Sequence, residues 1–223
     1  MASGDTSARG RRDLIELTLG YALILAVIWS PRPMQRLLFW LAATGLASVL
    51  WLTFPGWDAM GLRRTNLMRS LWVAGVALLA AAIAIFIASR MNTLQWPGGP
   101  TQFLQRYLGY AIWSVFQQVL LQDYFLARLL RLVGRPVPAA LAATAIFSLA
   151  HLPNPILTVV TFIWGLAACL LFLRYRNLYP LALAHAILGI ALAMTVPGPV
   201  THNMRVGLGY LTYSAHPIYY RNH

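Results

Sequence analysis

Seven apolar segments separated by short turns are the feature that most constrains how this chain can fold. They span residues 14–30, 34–53, 69–89, 103–132, 137–151, 156–173 and 178–196. A helix that crosses a bilayer needs about 20 residues. The fourth segment is longer, which indicates a tilted or projecting helix, and the fifth is short enough that it need not cross fully. The junctions between segments are rich in proline, glycine and arginine, which predicts loops.

The composition indicates the environment in which these segments fold. Hydrophobic residues make up 59% of the 223-residue chain, and charged residues only 10%. A soluble domain of this size carries about 25% charged residues, so this chain has too little polar surface to stay in water. In lipid, the outer faces of helices can also be apolar. We therefore predict an all-α, polytopic membrane bundle of about seven transmembrane helices, in direct contact with the lipid bilayer.

The pattern shows neither an internal repeat nor a second soluble domain. We predict an N-terminal membrane region of three helices over residues 1–100 and a core of four helices over residues 101–200. Residues 201–223 would form a C-terminal tail at the membrane interface. The tail contains tyrosines such as Tyr219 and Tyr220, and tyrosine is enriched where the bilayer meets water.

The charge of the chain raises the question of its partners. All 17 basic residues are arginines, and the net charge is +12. A concentrated basic patch would favour nucleic acid, but these arginines form short clusters between the apolar segments, as the positive-inside rule expects. We therefore exclude nucleic acid as a partner. An N-terminus in the cytoplasm would place 11 arginines inside and 6 outside, so we expect that orientation.

Polar side chains stand inside three of the apolar segments, where they are costly and usually face the interior of a bundle. They are Gln117, Gln118, Gln122 and Asp123 in the fourth segment, His151 at the end of the fifth and His185 in the seventh. These groups could converge only if the fourth, fifth and seventh helices pack together. We regard them as the candidate functional residues.

Helical geometry separates the carboxylate from the glutamines. In a regular helix each residue turns about 100°, so Gln118 and Gln122 would share a face and Asp123 would lie about 140° from Gln118. Asp123 would then point away from the pair. We expect it to pair with an arginine, for which Arg106 and Arg128 are in reach by sequence, or with a loop dipole.

Each polar residue also has a plain structural interpretation. A glutamine pair such as Gln117 and Gln118 often joins membrane helices by hydrogen bonds, worth roughly 0.6–2 kcal/mol per contact. His151 precedes a proline-rich turn and could be an interfacial histidine, and His185 could be a structural one. The lone cysteine, Cys169, is expected to be a small buried hydrophobic residue.

Three short motifs occur in order on these helices. The sequence QQVLLQ at residues 117–122 is similar to Glu-Glu-x-x-x-Arg, Phe147-x-x-x-His151 matches Phe-x-x-x-His, and His185-x-x-x-Gly189 matches His-x-x-x-Asn at its histidine. Together they resemble the CPBP family of intramembrane endopeptidases, the CAAX-processing and bacteriocin-processing enzymes also called the Abi group. The resemblance covers the predicted core well and implies a location in a bacterial inner membrane.

The departures from the family pattern are as informative as the matches. Gln117 and Gln118 replace the two glutamates of the first motif, Gln122 replaces its arginine, and Gly189 replaces the asparagine of the third. Upstream, residues 61–64 (Gly-Leu-Arg-Arg) are similar to a Gly-Leu element that precedes the family domain. Of the family's catalytic set, only the phenylalanine and the two histidines remain.

The resemblance implies a chemistry that these departures alter. In the family a glutamate is thought to activate water with help from a histidine, while the other histidine and the asparagine stabilise the oxyanion. Glutamine does not titrate in a useful range, so Gln117 and Gln118 cannot be general bases. An unperturbed histidine titrates near about 6.5, so His151 could be one. The candidate catalytic residues are Gln117, Gln118, Gln122, His151 and His185.

Three functions follow as alternatives. The first is a divergent CPBP-type endopeptidase that cleaves membrane-anchored protein substrates, which the two retained histidines favour. The second is a catalytically inactive relative that binds a peptide, a lipid or a membrane protein as an accessory subunit, which the loss of both glutamates favours. The third is a haem or metal carrier with His151 and His185 as ligands. Two histidines alone make a poor zinc site, so we expect no cofactor. His151 should lie near the outer face, which predicts access to the site from that side.

Overall fold

The computed structural model describes residues 2–214, among which all regular structure is helical. The elements are α1 (Ala2–Ile28), α2 (Arg32–Leu52), α3 (Leu67–Ser70), α4 (Trp72–Arg90), α5 (Pro100–Val119), a π-helix (Leu120–Leu126), α6 (Ala127–Val133), α7 (Pro136–Leu149), α8 (Pro155–Tyr175), α9 (Tyr179–Thr195), α10 (Gly198–Thr201), a 3₁₀ turn (His202–Met204) and α11 (Gly207–Leu211). Each of the seven predicted segments is therefore helical. Tyr219 and Tyr220, on which the interfacial tail was predicted, lie outside the described residues.

Several of these helices suit a bilayer. By length and composition, Arg32–Leu52, Leu67–Arg90 and Pro155–Tyr175 could each cross a membrane, while α7 and α9 are shorter apolar helices. Large hydrophobic side chains such as Leu79 and Ile163 are exposed on the outer surface of the bundle, as contact with lipid requires. The prediction of an all-α membrane helix bundle is confirmed.

The helices pack into one bundle with two distinct ends. The main contacts join α4 to α9, α7 to α8, α1 to α2 and α5 to α9, and α1 also packs against α6. At the N-terminal end of the bundle lie the first half of α1, the loop 53–66, α6 and the turn between α8 and α9. At the opposite end α1 and α9 finish and α5 and α8 begin. We call this opposite end the cavity end, for the cavity described below.

Ion pairs fix α1 to α6 at the N-terminal end. Arg128 Nη2 lies 2.7 Å from Glu16 Oε2, and Arg131 Nη2 lies 2.6 Å from Asp13 Oδ1. Of the two arginines in reach of Asp123 by sequence, Arg128 pairs instead with the carboxylate of Glu16 on α1. Asp123 forms no ion pair among the described residues, and its Oδ2 is buried without a hydrogen-bond partner.

The Gly-Leu element docks against the core at the same end. Gly61 has φ of +71°, a conformation that side chains disfavour, and its carbonyl accepts a 2.9 Å hydrogen bond from the Leu178 amide. A Cβ at this glycine would lie 2.7 Å from Phe172 Cε2. Nearby, the buried Asn177 amide donates to the Arg63 carbonyl at 2.9 Å. This loop therefore joins the N-terminal helices to the turn between α8 and α9.

The fourth predicted segment is a long helix with a π-helical interruption at residues 120–126. In a π-helix each amide bonds to the carbonyl five residues back, which widens the turn. The regular rotation assumed from the sequence therefore does not hold through residues 120–126, but Gln118 and Gln122 still share a face as predicted, with Gln122 Nε2 3.2 Å from Gln118 Oε1. Such interruptions occur frequently at functional sites, and this one contains Gln122.

Candidate functional site

A cavity of ≈ 580 Å³ lies at the cavity end of the bundle. Helix α5, the turn that follows α7 and helix α9 contribute Gln117, His151 and His185 to its lining, so the three predicted clusters do converge. The tyrosines Tyr107 and Tyr110 of α5 line it as well. Residues of α1 complete one wall: Tyr21, Ile24 and Ile28.

Gln118 and Gln122 lie behind this lining and hold His185. Both glutamines are almost fully buried. Gln122 Nε2 donates to Gln118 Oε1 at 3.2 Å, and Gln118 Nε2 lies 3.1 Å from His185 Nδ1. An amide NH₂ group can only donate, so Nδ1 of the imidazole is the acceptor. With the Gln118 amide in this orientation, the neutral ring of His185 carries its proton on Nε2.

His151 has the opposite arrangement. Its Nδ1 lies 2.9 Å from the backbone carbonyl oxygen of Phe147. A carbonyl oxygen can only accept, so Nδ1 carries a proton, and in the neutral form of the ring Nε2 has a free lone pair. One histidine of the cavity is thus a hydrogen-bond donor at Nε2 and the other an acceptor.

Phe147 contacts both histidines. Its ring centroid lies 5.1 Å from that of His151 and 6.2 Å from that of His185, with both contacts edge-to-face. Trp164 packs against the other side of His185, with ring centroids 6.1 Å apart. Since aromatic contacts of this kind have preferred geometries, these two rings restrict how each imidazole can turn.

Two atoms on cavity-lining residues are buried without a hydrogen-bond partner, namely Gln117 Oε1 and Tyr107 Oη. Most buried polar atoms in proteins have a partner, so these two oxygens are exceptions within the cavity wall. Among the described residues the lining includes the cation Arg106 and no carboxylate. Asp123 does not contribute to it.

The donor set does not favour a metal. Among the side chains that the structure describes, no three of His, Cys, Asp or Glu come close enough together to hold an ion. A zinc site normally has at least three protein ligands, whereas the cavity offers only the two histidines. The absence of a cofactor stays an expectation.

Sequence reasoning missed the tyrosines of the cavity, because an aromatic residue in an apolar segment carries no polar signal. Helical spacing offered one clue. Tyr110 precedes Gln117 by seven residues, which is about two helical turns, so the two share a face of α5. The contribution of α1 had no signal of this kind.

Comparison with known families agrees with the motif pattern. Residues 99–191 match the family model described as type II CAAX prenyl endopeptidase Rce1-like. Neither a curated protein nor a solved structure gives a significant match. The matched segment runs from the start of α5 into α9 and contains all five candidate residues. It confirms the resemblance to the CPBP proteases: residues 99–191 of this integral membrane protein are similar to the Rce1-like CAAX prenyl endopeptidase family.

Proposed function

We propose that this protein is a divergent intramembrane endopeptidase of the CPBP type, which hydrolyses peptide bonds in membrane-associated protein substrates. The observation that carries the proposal is the pair of histidines with complementary protonation. His151 offers a free lone pair and His185 offers an N–H, and both line one cavity. Peptide hydrolysis needs one group of each kind, a proton acceptor for water and a donor for the developing oxyanion.

In the proposed first step, His151 Nε2 takes a proton from a water molecule while the water oxygen bonds to the substrate carbonyl carbon. The carbonyl π electrons move to its oxygen and form a tetrahedral oxyanion. The Gln117 side chain, which lines the cavity, turns its amide oxygen toward the water and accepts the second hydrogen, which orients the attacking lone pair. General-base catalysis of this type contributes roughly 10²- to 10⁴-fold.

In the second step, the oxyanion collapses and the peptide C–N bond breaks. His151 returns its proton to the leaving amine nitrogen, so the products are a new carboxyl terminus and a new amino terminus. His185 Nε2–H donates to the oxyanion throughout. The Gln122–Gln118 chain keeps Nδ1 of His185 an acceptor, which keeps the proton on the nitrogen that faces the reaction.

The location of the cavity bears on substrate access. We propose a bacterial inner membrane with the N-terminus in the cytoplasm, because the arginines are concentrated at the N-terminal end of the bundle. His151 and the cavity lie at the opposite end, so the substrate would enter from the outer side. The substrate would be a segment of a membrane-anchored protein, since the apolar surface of the bundle keeps the enzyme in the bilayer.

A second function has an observation in its favour. The described lining of the cavity contains no carboxylate, and the amides of Gln118 and Gln122 are engaged with each other and with His185. A catalytically inactive CPBP-fold protein that acts as a binding or accessory subunit in a membrane complex would have these features. It would tolerate His151→Ala, and a stable partner would co-purify with it.

The experiment compares protein termini in membranes and secreted fractions from four strains: the wild type, a null, and the null complemented with His151→Ala or His202→Ala. His202 is the matched control, since it stacks on Tyr210 with ring centroids 3.9 Å apart and does not line the cavity. We expect specific termini to vanish in the null and with His151→Ala, and to return with His202→Ala. Immunoblots should show equal membrane accumulation of both variants.

Two results would contradict the endopeptidase. The null could leave every terminus unchanged, or His151→Ala could restore all termini that the null lost. In either case, affinity purification of the intact protein from mild detergent would follow, and a stoichiometric partner would support the binding subunit instead.

A further inference from the structure

Tyr110 stands beside His185 in the cavity, although no motif includes it. Its ring meets the imidazole edge-to-face, with centroids 6.5 Å apart, and its side chain belongs to the cavity lining. Because Tyr110 and Gln117 share a face of α5 two turns apart, the tyrosine lies on the side of Gln117 nearer the cavity end.

Gly189 explains how the tyrosine reaches this position. It follows His185 by four residues in α9, so both lie on the same face one turn apart. A Cβ at Gly189 would overlap the hydroxyl oxygen, Cζ and Cε1 of Tyr110. The hydroxyl therefore rests directly on the backbone of α9, at the one residue of that face without a side chain. It occupies the space that a side chain at position 189 would fill.

We propose that the Tyr110 hydroxyl is a second hydrogen-bond donor of this site, which acts with the Nε2–H of His185 on the carbonyl oxygen of the bound peptide. The inference rests on the proposed endopeptidase function. A phenol O–H donates without losing its proton, so the hydrolytic steps balance as before. The resemblance places an asparagine at residue 189, and here a neighbouring helix supplies the donor at the same place.

A purely structural tyrosine makes a different prediction. Phenylalanine keeps the ring, and with it the contacts to His185 and Gly189, and removes only the hydroxyl. If Tyr110 merely fills space, Tyr110→Phe will be silent. If the hydroxyl donates to the oxyanion, the variant will lose roughly 10²-fold in rate, as expected when one such donor is removed.

The test uses the full-length protein in its own membrane, with the His151-dependent protein termini as the probe. Labelled reference peptides measure how fast each terminus appears after induction. We expect Tyr110→Phe to slow this by about 10²-fold at unchanged accumulation. The matched control is Tyr179→Phe, which removes a hydroxyl from an exposed tyrosine that does not line the cavity, and it should stay within about threefold of the wild type. A wild-type rate for Tyr110→Phe, or an equal loss in Tyr179→Phe, would overturn the proposal.

Moving the hydrogen-bond donor from α5 to α9 gives a second test. A purely structural role of Tyr110 would not change its result. Tyr110→Ala removes the ring and leaves room for a side chain on α9, and Gly189→Asn then restores a donor. At equal accumulation, the double variant should form termini at least about tenfold faster than Tyr110→Ala alone, and no gain would count against the proposal. The failure of the proposed function and the failure of this inference can be told apart. Unchanged termini in the null reject both the endopeptidase function and the role of Tyr110. Termini that need His151 but not the Tyr110 hydroxyl reject this inference alone.

Discussion

The two ends of the bundle differ in what their polar groups do. At the N-terminal end, carboxylates and guanidinium groups from distant segments pair with one another, as Glu16 does with Arg128, although the buried Asp123 Oδ2 five residues from Arg128 has no partner. At the cavity end, Tyr107 Oη and Gln117 Oε1 are buried with no partner in the wall of the cavity. The ion pairs of the N-terminal end hold the helices together. The cavity end encloses the space that water or a ligand can enter.

The N-terminal end also supports the cavity. The buried guanidinium of Arg128 contacts Glu16 Oε2 through Nε and Nη2, donates to the Tyr124 carbonyl at 3.1 Å and lies 4.1 Å from the centroid of the Tyr124 ring. The Tyr124 hydroxyl donates in turn to the Glu16 carbonyl. These contacts fix α1, which carries Tyr21 and the rest of one cavity wall.

The largest expected effect comes from breaking the buried pair with Glu16→Gln. This change leaves the Arg128 guanidinium buried without its counter-charge, and removing one partner of a buried pair costs roughly 3 kcal/mol or more. The measurement is the free energy of unfolding in detergent micelles. Arg12→Ala is the control, because this arginine pairs with the same carboxylate while its side chain is 58% exposed. Its loss should cost less than about 1 kcal/mol, and equal losses for the two variants would contradict the assignment.

The next effect should come from Gly61→Ala at the docked loop. Left-handed backbone costs alanine about 1–2 kcal/mol, and the new Cβ would also press on Phe172 Cε2 at 2.7 Å. Gly56→Ala is the matched control, since this glycine also has a positive φ, of +99°, but nothing lies within 4 Å of its Cβ position. Gly61→Ala should destabilise the fold more than Gly56→Ala does, and similar midpoints of thermal unfolding would show that the loop does not dock as described.

The adjacent residues Gln117 and Gln118 give a sharper test of the contrast between partnered and unpartnered polar groups. Gln118→Leu removes the link between Gln122 and His185 and should cost about 1–3 kcal/mol of stability, because groups on both sides lose their partner. Gln117→Leu removes an oxygen that has no partner and should leave stability nearly unchanged, while it reduces formation of the protein termini. Unfolding and terminus measurements on both variants check this. The reverse order of stability would mean that the roles of the two residues are exchanged.

The smallest effect is expected for Tyr107→Phe. Its hydroxyl is buried without a partner, so its removal relieves a desolvation cost and loses no hydrogen bond. Stability should stay within about 0.5 kcal/mol of the wild type or rise above it. A clear loss of stability in the same unfolding assay would reveal a partner for this hydroxyl and weaken the contrast between the two ends.

The sequence by itself determined the class of fold and the approximate helices. Apolar segments of about the length of a bilayer crossing can be read directly from the chain. Prolines locate several of the starts, since Pro100, Pro136 and Pro155 each stand at the first turn of a helix, where a missing amide hydrogen costs nothing. These are properties of a single segment, so no knowledge of its neighbours is needed. The motifs that resemble those of the CPBP family likewise indicated His151 and His185. The structure then showed that both histidines line one cavity.

Only the tertiary structure decided how the polar groups are partnered. Glu16 forms an ion pair with Arg128, which is 112 residues away in sequence, although Asp123 is nearer to Arg128 in sequence. The π-helix between Gln118 and Arg128 changes the angle between their side chains around the helix axis from its value in a regular α-helix. Gly189 meets Tyr110 only because α5 and α9 pack together. Hydrophobicity and turn chemistry are properties of neighbouring residues along the chain. The partner of a buried polar group depends instead on which helices lie side by side. The packing free energy of the whole bundle determines that arrangement.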